Sequence, residues 1–208
     1  MIGQVSSLIQ LGNLYYDCLH FMEEAVTFYR QAAEISARLG VMHHEGNARS
    51  NIAIILHQFK RYNEARQEIM RAIECAKEIG IALHPWKSFN ILHDIESAEG
   101  NTAAAQAAWR DARDAYLAYR RQGGYAKFSG GQIAEQILAF IAQEKWNEIE
   151  EMFKGLANAP QVPASGKYMI QLLHKVLNGF RDPALADDPA LDYDDAAEVL
   201  FLMERLKG

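Results

Sequence analysis

The chain has 208 residues, half of them hydrophobic, and its 27 acidic against 21 basic side chains leave a formal charge of -6. That length buries a continuous core in one elongated domain or in one domain with a cap. The scarcity of proline favours helices. The acidic balance argues against a phosphate-binding surface, so nucleic acid is not an expected partner. No apolar run of about 18 residues is long enough to span a membrane, so no membrane partner is expected either.

Taken in order, the first helical stretch runs from Val5 to Leu19 without a polar cap before it. Val5 and Leu8 are therefore expected on an uncovered outer side. Either the chain is a segment of a larger protein or this hairpin pairs with another copy of itself. Met1-Ile2-Gly3-Gln4 lacks the basic-then-apolar order of a secretory signal. Cys18 and Cys75 read as buried, reduced thiols in helical stripes, which suits a cytoplasmic protein. The turn Leu19-His20-Phe21-Met22 is apolar for a hairpin and one residue longer than its later counterpart, so Phe21 and Met22 are expected half-buried.

A fixed spacing then emerges. Ala25, Ala65 and Ala105 lie 40 apart, as do Ala32, Ala72 and Ala112, and Gly40 pairs with Gly80. Such a spacing marks stacked helical hairpins, with alanine where two helices approach closely and glycine where a helix stops. His43-His44-Glu45 reads as a solvated helix start, because adjacent helical residues diverge and no further ligand has matching spacing. After Asn51 to His57 and a break at Lys60-Arg61-Tyr62, a helix runs from about Asn63 to Ile79. Pro85 opens the third hairpin, whose second helix covers Thr102 to about Arg121. There Trp109, Tyr116 and Tyr119 are expected to pack.

Gly123-Gly124 and Gly130-Gly131 mark a boundary. Gly166-Lys167-Tyr168 lacks both the first glycine and the hydroxyl of a phosphate loop. Ile133, Ile137, Phe140 and Ile141, then Trp146, Ile149, Phe153 and Leu156, draw the two stripes of a degenerate fourth hairpin. A helix from Tyr168 to Phe180 follows. The last one, Tyr193 to Leu206, has acidic residues at its start and Arg205 and Lys207 at its end, matching the helix dipole. Asp182 to Asp195 are read as helix-capping and solvated, since prolines interrupt any calcium-loop spacing.

Leu11-Gly12-Asn13-Leu14-Tyr15, Glu23-Glu24-Ala25 and Phe28-Tyr29 with Ala32 resemble the signature of the tetratricopeptide repeat family. Ile52-Ala53, Leu56, Tyr62, Glu64-Ala65 and Ala72 follow it. Phe89, Leu92, Gly100-Asn101, Ala105, Trp109 and Ala112 do so a third time, with His93 in the place of the small residue. The spacing is 40 rather than the family's usual 34 residues and the closing proline is absent, as in long-helix members. The resemblance implies an all-α fold, a right-handed solenoid with a C-terminal helical cap. Three hairpins are expected within residues 1–122 (about 5–40, 43–80 and 85–122), and a degenerate fourth hairpin with the cap within 123–208.

The implied function is a scaffold that binds a protein or peptide segment in the groove lined by the first helices. Its polar positions are Asn13, Tyr16 and Asp17; Asn47, Ser50, Asn51 and His57; and Lys87, Asn90, Asp94 and Ser97. Asn13, Asn51 and Lys87 also resemble three positions of the family's carboxylate clamp, but Ile9 and Ile91 stand where its Lys and Arg are expected. A looser resemblance, including Leu191 to Glu198, is to the C-terminal segment of large bacterial multidomain signalling proteins, which implies a ligand-sensing arm. The serines have no recognisable base or oxyanion loop, so no catalytic residue, cofactor or metal is expected. A self-assembly module and an unrecognised enzyme are the rival readings.

Overall fold

A computed structural model describes residues 2–80 and 83–206. Among these residues the regular structure is helical and no strand occurs. The chain divides into two compact units, Met1–Ala112 and Arg113–Gly208.

The first unit contains α1 (Ile2–Asn13), α2 (Met22–Leu39), α3 (Met42–Gln58), α4 (Tyr62–Ile79), α5 (Pro85–Glu99) and the first half of α6 (Thr102–Arg121). Consecutive helices from α1 to α5 pack on one another, and the recurrent alanines Ala25, Ala32, Ala65, Ala72 and Ala112 are buried. The turns recur as well. His20, Lys60 and Gly100 take the left-handed conformation between the helices of each hairpin, and Gly40 and Gly80 have positive φ between hairpins.

The small residue of the first-helix signature has a visible cause: a Cβ on Gly12 would lie 2.5 Å from the ring of the buried Tyr29. Gly12 thus lets α2 seat an aromatic ring on the α1 backbone. In the third repeat His93 stands in that place, with its Nδ1 2.9 Å from the carbonyl oxygen of Ala105.

Several expectations need correction. Val5 is fully buried within the first unit's core, and Leu8 packs against that core, so neither belongs to an uncovered outer side. The exposed apolar residues there are Ile2, Leu11 and Leu14. The extra residue before the first turn is absorbed by a π-helical segment, Leu14–Cys18, in which the Leu19 N–H donates to the Leu14 carbonyl. This wider turn leaves Cys18 exposed while Cys75 is buried. Phe21 is exposed, its ring tilted beside that of Tyr15 with 6.2 Å between centroids, whereas Met22 is half-buried.

Glu45 is no solvated helix start. It is 2% exposed, and both Arg49 (3.0 Å) and Arg71 (2.8 Å) pair with it, while Arg49 also reaches Glu68 at 2.7 Å. These ion pairs join α3 to α4, and Arg66 joins α4 to α5 through Glu96 at 2.6 Å and through Glu99.

The second unit holds the rest of α6 with α7 (Ser129–Ala142), α8 (Trp146–Asn158), α9 (Ala164–Leu177), a 3-10 turn at Pro183–Ala186 and α10 (Tyr193–Arg205). Glu144, between α7 and α8, repeats the left-handed hairpin residue. Ile149 and Phe153 are buried, but Trp146, at the first position of α8, is exposed. The helix expected at Tyr168 to Phe180 starts earlier, after the extended Pro163, and ends before Gly179, whose φ is positive.

α10 packs against α7, α9 and the 3-10 turn and buries Tyr193, Ala196, Ala197, Val199, Leu202 and Met203. It carries Asp194 and Asp195 in its first turn and Arg205 in its last; Lys207 lies outside the described residues. Within this unit Arg120 Nε lies 2.8 Å from Glu198 Oε1, both side chains almost wholly buried, and the Arg120 guanidinium covers the Phe201 ring.

Candidate peptide-binding face

The polar positions of the first helices sit on α1 with its π segment, on α3 and on α5. They interact across these helices, which places the three side by side. The Tyr29 hydroxyl donates to Asn13 Oδ1 at 2.6 Å, and Asn51 from α3 hydrogen-bonds the same hydroxyl. Burial first, then the nearby Asp17 carboxylate, pushes the Tyr29 phenol up to about 12. The hydroxyl therefore stays a donor across the neutral range.

Gln58 Nε2 donates to the Tyr16 hydroxyl at 2.7 Å, joining the end of α3 to the π segment. Ser50 and Ser88 place their hydroxyl oxygens 3.4 Å apart, joining α3 to α5. The His57 ring lies against Tyr62, 5.8 Å between centroids.

Further along, more than a third of Asp94 is open to solvent, yet surrounding protein atoms raise its carboxyl pKa. His93 and His57 act in the opposite sense. His57 and Asp94 are thus within electrostatic reach of each other. Asn47, Lys87, Asn90 and Ser97 share no bond with the others. Among the described residues the side chains of Asn47, Lys87, Asn90, Asp94 and Ser97 make no hydrogen bond or ion pair.

The sequence-derived positions therefore divide by role. Asn13 and Asn51 serve the Tyr29 hydroxyl, so the two amides that resemble clamp positions are engaged within the fold. Tyr16 and Ser50 tie helices together. Gln58, Ser88 and Tyr29 complete these contacts; Gln58 and Ser88 were missed in the sequence, and Tyr29 was read there only as a signature residue. Gln58 adjoins His57 at the end of α3 and carries no motif, and Ser88 reads as one helical serine among several.

A family model described as tetratricopeptide repeat matches residues 4–78, from α1 to the end of α4. No curated protein matches the chain.

Proposed function

Since residues 4–78 are tetratricopeptide repeats, units that mediate protein–protein interaction, we propose that the α1, α3 and α5 face binds an extended or helical segment of a protein partner. The observation that supports this is the set of polar side chains on that face, Asn47, Lys87, Asn90, Asp94 and Ser97, that make no hydrogen bond or ion pair among the described residues. Amides, a hydroxyl, an ammonium and a carboxylate in this arrangement can pair with the backbone and charged side chains of a ligand segment. Tyr16, Asp17 and His57 extend the face toward the hairpin turns.

The looser resemblance of Leu191 to Glu198 supports reading this as the interaction of a sensing or adaptor segment. Affinity purification with the full chain supplies the partner, and a variant supplies the test. Asn47→Ala, Lys87→Ala and Asp94→Ala together should weaken capture by about tenfold or more, as expected for loss of several interfacial polar contacts. Lys77→Ala with Glu78→Ala, exposed on the second helix α4, should leave it unchanged. Equal capture by both variants would place the binding face elsewhere.

A further inference from the structure

The second unit contains a cavity of about 530 Å³ where the N-terminal ends of α7, α9 and α10 meet, a volume typical of small-molecule sites. Ile133, Leu156, Met169 and Ile170 form its apolar walls, and Asp192, Asp194 and Asp195 stand along one side. Among the described residues, no Lys, Arg or His lines it. Among the described residues, none of these three carboxylates hydrogen-bonds another residue or pairs with a cation.

The other aspartates of the same connection are accounted for. Asp182 accepts the Ala184 N–H at 2.9 Å, Asp187 pairs with Arg113 at 2.5 Å, and Asp188 accepts both the Tyr168 hydroxyl at 2.5 Å and the Ala190 N–H at 2.8 Å. Capping and pairing thus explain the first group and leave the second without a countercharge.

The ends of α7, α9 and α10 do not supply one. Each helix N-terminus carries about +0.5 of a charge, so three of them offset roughly half of three ionised carboxylates. The remaining field is negative. Burial, then the like charges of Asp194, Asp192 and Glu198, pushes Asp195 up to about 7; burial is also the main cause that pushes Asp194 up to about 6. Apolar walls oppose ionisation, and a cation placed beside the carboxylates would favour it.

We infer that this cavity binds a small organic cation, an ammonium or guanidinium carried on an apolar body, with the body against Ile133, Met169 and Ile170 and the cation at Asp194 and Asp195. An anionic ligand meets like charge at the rim. A neutral apolar ligand fills the walls but leaves the carboxylates unpaired, so the charge of the ligand is the discriminating feature.

Calorimetric titration of the full chain at about pH 7 tests this, with phenylbutylammonium as the probe and phenylbutanol and phenylbutanoate as its neutral and anionic counterparts. The ammonium should bind about tenfold or more tightly than the alcohol, and the carboxylate should not saturate. Because Asp195 is partly protonated at that pH, ammonium binding should release a proton, read from the dependence of the heat on buffer ionisation.

Asp194→Asn with Asp195→Asn should remove the preference for ammonium and the proton release while alcohol binding persists. Ile133→Trp, filling the cavity, should abolish both. Ser165→Trp obstructs the same space from α9 if the first replacement disturbs the fold, which thermal melting of each variant reports. Equal affinity for ammonium and alcohol, an ammonium preference that survives the double replacement, or no saturable ammonium binding would each overturn the inference.

Discussion

Gly12 and Gly131 are both small for reasons of contact. A Cβ at Gly131 would lie 2.5 Å from Glu198 Oε1 and 2.9 Å from the Ala126 Cβ. Glu198 is itself fully buried and held beside Arg120, so it has no free space to retreat into. Gly131→Ala is accordingly expected to destabilise the protein by about 1–3 kcal/mol through overpacking, read as a lower urea midpoint at unchanged slope. Ala72 belongs to the same class in the first unit. It is 1% exposed, and Ala72→Leu should cost a similar amount, about 1–3 kcal/mol. An unchanged midpoint for either variant would show that the site has room the structure does not display.

At the level of elements, one extra residue separates Gly12 from the left-handed His20, compared with the spacing from Ala53 to Lys60 and from His93 to Gly100. The π segment Leu14–Cys18 takes up that residue, so the turn keeps its geometry and α2 its place. Deleting Asp17 should convert the segment to α-helix and preserve a single cooperative thermal transition; a broad, non-cooperative melt would refute this account. The α3–α4 pair rests also on Glu45, which takes charge-assisted hydrogen bonds from both Arg49 and Arg71. Arg71→Ala leaves it with Arg49 alone and should cost about 1.5–3 kcal/mol, measurable by the same denaturation. A cost near zero would mean that Arg49 and solvent suffice.

Over the whole molecule the arginine-paired carboxylates of the first unit and the unpaired ones at the start of α10 in the second should answer acid in opposite ways. In the first, Glu45 and Glu96 are held below the usual carboxylate range, Glu45 by its two arginines against burial and Glu96 first by Arg66. Their stabilisation is present above the unfolded-state pKa and is lost as pH falls through the lower folded values. In the second, Asp194 and Asp195 titrate at about 6 and about 7 in the folded state, above the unfolded carboxylate. The stability they contribute is fully present below the unfolded pKa and is lost as pH rises through those values. Hydrogen exchange, corrected for intrinsic rates, should therefore show α10 more protected at about pH 5.5 than at about pH 8, with α3 and α4 weakening only at lower pH. Equal protection of α10 at both values would sink the argument. The contrast also separates what residue order determined from what packing decided. Helices, turns and the 40-residue spacing of Ala25, Ala65 and Ala105 were legible because they follow from local periodicity and from close approach between neighbouring helices. The burial of Val5 and Glu45, the exposure of Cys18 and Trp146, and the use of Asn13 and Asn51 to hold Tyr29 were not. Each depends on which helix lies opposite, and in Cys18's case on a turn of different pitch. The cavity beside Asp194 and Asp195 is the clearest instance: its lining comes from segments separated in sequence, and the fold brings no basic side chain of the described residues to these carboxylates.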